Sequence, residues 1–194
     1  KKSSSSSVLV ELEHSYSDAF EPEISKEGNR LVIKEIFERN SYSRGSGTWT
    51  LTIPDNMDIK INSGAGSLDA NNLDLELDMN TGSGYAELNS INGEVRFNSG
   101  SGDINLSNVN GEFDGNTGSG SIKATDAIGD LRFNTGSGNV KLTNVTANVR
   151  ANTGSGNVRA ANIEITGRSS FNTGSGDAIV TLKSALKYDI NVNS

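Results

Sequence analysis

A five-residue phrase repeats along this chain at a nearly constant interval, and this repeat restricts the possible folds more than any other feature. The phrase is Asn-(Thr/Ser)-Gly-(Ser/Ala)-Gly, and successive copies begin eighteen positions apart until a last step of twenty. A short fixed period of this kind indicates a solenoid, in which each repeat forms one coil. The seven copies begin at Asn62, Asn80, Asn98, Asn116, Asn134, Asn152 and Asn172.

Apolar residues recur at fixed positions within each repeat. Counted from the first glycine of the phrase, the residues four, six, nine, thirteen and fifteen positions later are apolar in almost every copy, whereas the intervening residues are polar or charged. This alternation predicts two short strands per repeat, joined by a corner. Such repeats bury their apolar side only by stacking, which places neighbouring coils ~4.8 Å apart as parallel strands. We expect the glycines to supply positive φ at the tight corner, where a Cβ would clash.

The rest of the chain also alternates with the period of strands, and no window has helical periodicity. The sequence therefore predicts an all-β fold, a single-stranded parallel β-helix with one coil per eighteen-residue repeat and an N-terminal β cap. We divide it into a Ser-rich linker (residues 1–7), cap strands (residues 8–47) and the β-helix (residues 48–194). The longer last step predicts a local bulge within residues 163–167.

The amino-acid composition excludes or argues against several classes of function. The formal net charge is -7, which argues against a nucleic-acid partner, since such binding needs a basic face. The chain has no cysteine, so disulfides, thiolate metal sites and cysteine nucleophiles are excluded. No stretch of 18 apolar residues exists, which predicts that the chain does not span a membrane. We predict no cofactor and no bound metal.

Two motifs carry a resemblance to a known family. The segment from Leu51 to Gly66 and the recurring Asn-Thr-Gly-Ser-Gly-Xaa-Val-Xaa-Leu resemble a bacterial family named for adhesins, a family of unknown function similar to the heads of autotransporter adhesins. The resemblance covers roughly residues 30–194. It implies a right-handed parallel β-helix that is exported and is periplasmic, outer-membrane-attached or extracellular in a bacterium. A membrane tether through an N-terminal anchor ahead of Lys1 is then expected. The family supplies no catalytic motif.

Charged residues form two outward columns that are candidates for ligand binding. An acidic column twelve residues after the first glycine is followed, two residues further on, by a column that includes arginines. A polar glycan surface and a weak divalent-ion site are both compatible with these columns, and so is a solvated face with alternating charge. The candidate residues are Glu76, Glu94, Arg96, Glu112, Asp130 and Arg132.

The asparagine that opens each phrase, from Asn62 to Asn172, predicts a structural ladder. Stacked amides bond to their neighbours above and below, or to the backbone of the corner. A ligand-binding ladder is the alternative. The hydroxyl residues on either side of the first glycine resemble the flat arrays of ice-binding solenoids, although those arrays use Thr in both columns, and here the second column is Ser or Ala.

The sequence favours a non-enzymatic, exported protein of the cell envelope or surface that presents repetitive polar faces to a glycan or protein partner. His14 is the only histidine, so a Ser-His-Asp triad or a histidine metal cluster is difficult to build. A polysaccharide-active β-helix enzyme is an alternative, which a cleft with paired carboxylates would favour. A structural or sensory spacer module is another.

Overall fold

The structure is a computed structural model, and the residues that it describes form strands joined by turns and bends, with no helix among them. It describes residues 1–4, 6–16, 20–27, 30–37 and 45–184. The thirteen strands of these ranges are β1 Leu9–His14, β2 Phe20–Glu27, β3 Arg30–Phe37, β4 Gly47–Thr52, β5 Met57–Ser63, β6 Leu68–Thr81, β7 Ala86–Ser99, β8 Ile104–Thr117, β9 Ile122–Thr135, β10 Val140–Thr153, β11 Val158–Ile165, β12 Ser170–Thr173 and β13 Ala178–Leu182.

Nine of these strands form one parallel stack. The order is β5, β6, β7, β8, β9, β10, β11 and β13, and β12 also pairs with β10. Residues one repeat apart lie side by side, so Asn98 pairs with Asn80 on one side and Asn116 on the other. The prediction of an all-β parallel solenoid with one coil per eighteen-residue repeat is confirmed.

The five predicted apolar columns point inward and form one continuous core. Leu88 and Phe97, for example, are almost completely buried, whereas Glu87 and Arg96 beside them are exposed. Alternation along each strand puts successive side chains on opposite faces, and the in-register stacking then places like residues over like. Three phenylalanines, Phe97, Phe113 and Phe133, are among the largest fully buried side chains.

The corner prediction was partly wrong. No glycine of the repeated phrase is among the residues with positive φ in the described ranges. Instead, a polar residue eight positions after the first glycine adopts the left-handed conformation in six coils, a role that Asn and Asp tolerate better than most residues. These residues are Asn72, Ser90, Asn108, Asp126, Asn144 and Asn162.

The phrase glycines are needed because neighbouring coils approach each other too closely for a side chain. A Cβ on Gly102 would lie 1.7 Å from the carbonyl oxygen of Gly84, one coil below. A Cβ on Gly118 would lie 2.5 Å from the carbonyl oxygen of Gly100. The repeated phrase therefore requires glycine because neighbouring coils are in contact there, and not because of the local backbone conformation.

The N-terminal region consists of two antiparallel pairs, β1 with β4 and β2 with β3. Rings of His14, Tyr16 and Phe20 lie close together, with Tyr16 and Phe20 at 4.6 Å between centroids. The first residues of the predicted linker lie beside Ile53, which is buried in the solenoid core: the Ile53 amide donates to Lys1 O over 2.9 Å. Residues 17–19, 28–29 and 38–44 of the predicted cap lie outside the described residues.

The longer last step of the repeat leaves β12 in continuous register with β10, whereas the register of β13 on β11 shifts between Ala161 and Ile163. β11 ends at Ile165 and the chain returns to a strand at Ser170, where β12 pairs with β10 and brings Phe171 beside Ala151. The Ser169 hydroxyl accepts a hydrogen bond from the Val149 amide over 2.9 Å. The extra residues are therefore accommodated between β11 and β12. Residues 185–194 of the predicted β-helix lie outside the described residues.

Candidate functional site

An open groove runs along the corner formed by the repeated phrase. It has a volume of about 1020 Å³ and crosses five consecutive coils, from Asn62 to Gly136. Each coil contributes the asparagine of the phrase, and most also contribute the following Ser or Thr and the first glycine. No lining residue carries an ionisable side chain. The groove is therefore an elongated, neutral and repetitive polar surface.

The asparagines on one side of the groove are linked by their amides. Each Nδ2 donates to the Oδ1 of the asparagine one coil below, over 2.8–3.4 Å, from Asn172 down to Asn62. An interior amide has two N–H donors and two acceptor sites on its oxygen. The ladder uses one donor and one acceptor, so Asn98 and Asn134 retain one of each. In Asn80 and Asn116 the second donor also has a partner, the Asp78 and Asp114 carboxylates respectively.

The hydroxyl that follows each asparagine points into the protein. Thr135 Oγ1 donates to the Gly120 carbonyl over 2.8 Å and accepts from the Gly138 amide over 3.0 Å. The same pair of bonds recurs at Thr81, Ser99, Thr117, Thr153 and Thr173. The first hydroxyl column is therefore engaged in closing the corner. It does not form, with the second column, the flat outward array that the ice-binding comparison would require.

The structure brings the six charged candidates into two adjacent columns beside the ladder. Glu76, Glu94, Glu112 and Asp130 stack in register, and Arg96 and Arg132 lie in the column two residues further along the strand. Glu94 forms an ion pair with Arg96 of its own coil, and Glu112 forms one with Arg132 of the next coil. Asp130 accepts a hydrogen bond from Asn148 over 2.9 Å.

Neighbouring charges shift the pKa values of two groups in these columns. The Lys60 ammonium, 3.0 Å from Asp78, lowers the pKa of that carboxyl below its ordinary value of 3.8. The hydrogen bond and charge of Glu112 raise the pKa of Arg132 above its ordinary value. Within the ranges that the structure describes, no three His, Cys, Asp or Glu side chains converge in a way that could hold a metal ion. Glu94 and Glu112 instead pair with arginines, and Asp130 with an amide.

Two features of this region were not predicted from the sequence. The asparagine ladder was predicted, but the groove beside it was not, because the groove depends on how the corners of successive coils stack on one another. The left-handed residues from Asn72 to Asn162 were also not predicted, although the sequence has an Asn, Asp or Ser eight residues after the first glycine in each of these coils. That column was the available signal, since Asn and Asp are the non-glycine residues most often found at positive φ.

Fold and groove together define a parallel β-solenoid with a polar groove along one corner. The chain belongs to the Toastrack DUF4097 family, a domain family of unknown function, whose sequence model matches residues 1–194. Comparisons with curated proteins and with solved structures find no match. In the described part of the chain, no helix is long and apolar enough to cross a membrane.

Proposed function

We propose that this protein is a non-enzymatic adhesin-type module that binds a linear, uncharged glycan along the Asn62–Gly136 groove. The groove carries the proposal because it combines length, neutrality and a regular repeat. Its repeat equals the strand spacing, ~4.8 Å, which is of the same order as the length of one pyranose ring. A linear polysaccharide presents hydroxyls at a similar interval, so several coils can engage it in the same way.

The chemistry of the lining supports a sugar ligand. Asn98 and Asn134 each offer a free N–H donor and a free oxygen lone pair on a planar amide that the ladder already fixes in place. A sugar hydroxyl both donates and accepts, so it can use both groups. Because the ladder holds these amides before binding, little side-chain freedom is lost on complex formation. The glycines that line the groove have no side chain, so a sugar ring can approach their backbone closely.

The test is a glycan array with a matched pair of variants. Asn98→Ala removes a groove residue, whereas Asn152→Ala removes an amide with the same two ladder bonds that does not line the groove. We expect the wild type to bind one class of neutral linear glycan, Asn98→Ala to weaken that binding, and Asn152→Ala to retain it. Equal loss in both variants, or no binding by the wild type, would refute the proposal and favour a spacer role.

We further propose that the protein acts on the outer face of a bacterial cell envelope. The resemblance of its motifs to the heads of autotransporter adhesins supports this location, and a glycan-binding groove would meet its ligand there. Protease treatment of intact cells tests the location, because an exported and exposed solenoid is cleaved or released while a cytoplasmic marker remains intact. Activity assays on polysaccharides, with release of reducing ends as the readout, test the enzymatic alternative.

A further inference from the structure

One outward column of the solenoid separates its charges by sign along the stack. The column lies five residues after the first glycine, and its first six residues, which precede Ile179 in the last described coil, are exposed and stacked in register. Acids occupy the first two coils, an amide the third, and bases the next three. In order, the residues are Asp69, Glu87, Asn105, Lys123, Lys141 and Arg159. We refer to this set as the graded column.

The charges of the graded column have no partners within the described chain. None of the ion pairs that the structure records there involves Asp69, Glu87, Lys123, Lys141 or Arg159. By contrast, Arg96 and Arg132 form ion pairs with Glu94 and Glu112 of the neighbouring acidic column. Like charges held ~4.8 Å apart repel each other. The graded column therefore presents two uncompensated patches of opposite sign, one at each end.

We propose that the graded column is a self-complementary face through which two copies of this chain associate with antiparallel axes. Consider a two-fold axis that lies in the interface, runs parallel to the strands and passes between the third and fourth coils. It places Asp69 opposite Arg159 and Glu87 opposite Lys141 of the second copy. Asn105 then faces Lys123. Each contact occurs twice because the interface is isologous. All five charges of each copy face an opposite charge or an amide, and no like charges meet.

The columns on either side of the graded column allow this approach. The residues two positions before are Ser67, Tyr85, Asp103, Ser121, Asn139 and Asn157, and those two positions after are Asn71, Asn89, Ser107, Thr125, Thr143 and Ala161. Under the same two-fold axis, Asp103 faces Ser121 and Tyr85 faces Asn139, so no charge clash arises. A parallel arrangement would instead place Lys141 against Lys141 of the second copy. The charge pattern therefore selects the antiparallel pairing.

The small size of the face predicts a weak association. Six coils at ~4.8 Å and three outward columns across about 13 Å give roughly 400 Å² per copy, or about 800 Å² in total. This area is below the roughly 1,200–2,000 Å² of stable complexes. We therefore expect a reversible dimer that forms at high protein concentration and weakens as salt screens its exposed charges.

Sedimentation equilibrium of the full chain, from about 0.01 mM to about 1 mM protein, measures this association. Lys141→Glu and Glu87→Lys each replace two attractive contacts of the dimer by two repulsive ones, and we expect each to weaken dimerisation by about tenfold or more. Raising the ionic strength from about 0.05 M to about 0.5 M should weaken the wild-type dimer as well. Arg150→Glu is the control: it makes the same charge change as Lys141→Glu but lies in a different exposed column.

Restoration by mixing is the decisive readout. A mixture of Lys141→Glu and Glu87→Lys should form a heterodimer, since every repulsive contact becomes attractive, and the double variant should dimerise with itself. Circular dichroism shows that the variants remain folded. A wild type that stays monomeric to about 1 mM would overturn the proposal. A dimer insensitive to both reversals would overturn it too. Binding of heparin by a monomeric wild type, lost in Lys141→Glu, would instead identify the basic end as a polyanion site.

Discussion

Replacing Gly118 by alanine tests the conclusion that coil-to-coil contact, and not backbone conformation, requires the phrase glycines. A Cβ on Gly118 would lie 2.5 Å from the carbonyl oxygen of Gly100, whereas real Cβ atoms essentially never come closer than 3.0 Å. The coils must therefore separate by about 0.5 Å before the repulsion between these two atoms is relieved. Gly64 occupies the same position in the first phrase but has no atom within 4 Å of its Cβ position. Gly64→Ala is thus a matched control.

The structure sets the size of the effect. The Gly118 amide donates to the Ser99 carbonyl at 3.1 Å. A shift of about 0.5 Å along this bond lengthens it to about 3.6 Å, which is outside the hydrogen-bonding range. The same shift lengthens the bond that the Asn116 amide donates to Asn98, one coil below. Losing or weakening two such bonds costs about 2–3 kcal/mol. Alanine also stabilises by about 0.4–1 kcal/mol through the unfolded chain, an effect that both variants share.

Urea unfolding followed by circular dichroism measures the comparison. We expect Gly64→Ala to be at least as stable as the wild type and Gly118→Ala to be less stable by about 1–2 kcal/mol, which corresponds to a melting temperature lower by about 2–8 °C. The difference between the two variants isolates the contact between coils. Equal stability of the two variants would contradict this explanation of the repeated phrase.

Three further changes test the corner, the ladder and the charged face. Thr135→Val should lower stability by about 2–3 kcal/mol in urea unfolding, because it leaves one buried carbonyl and one buried amide without partners, whereas Thr135→Ser should retain most of the stability. Asn134→Ala removes amide bonds on both sides and should cost about 1–2 kcal/mol, roughly twice the cost of Asn172→Ala, which among the described residues removes one ladder bond, to the coil below; equal costs would contradict a contribution from each bond of the ladder. Lys60→Met should raise the pKa of Asp78 toward 3.8 in an NMR titration. Because the folded-state pKa is lowered, the stabilisation from this carboxylate is present above pH 3.8 and is lost as the pH falls through the folded pKa; an unchanged titration would show that Lys60 does not act on it.

Much of the fold could be predicted because the repeat encodes it directly. Identical residues at a fixed interval can lie side by side only if each coil has the length of that interval, so the register of Asn98 with Asn80 and Asn116 was readable from spacing alone. The alternation of apolar and polar residues then fixed which side chains form the core, as Leu88 and Glu87 illustrate. Neither inference required knowledge of contacts between distant residues.

The candidate site was less predictable because it depends on directions in space. Thr135 and Ser137 both flank a glycine in the sequence, yet the Thr135 hydroxyl points inward and closes the corner. The acidic column could also be predicted from the sequence, but the ion-pair partners of its carboxylates could not. Glu94 pairs within its own coil and Glu112 pairs with the next coil, a difference that depends on side-chain conformation and on the alternating charges beside them.

The sequence by itself therefore determined the length of the coil, the columns that face the core and the residues that stack on one another. It did so because, in a solenoid, residues that are one repeat apart in the sequence lie side by side in space. Only the tertiary structure decided why Gly102 must be glycine, where the backbone turns left-handed at Asn108, and that the corner opens into a groove. These features arise from the approach of one coil to the next, a distance that no single repeat contains.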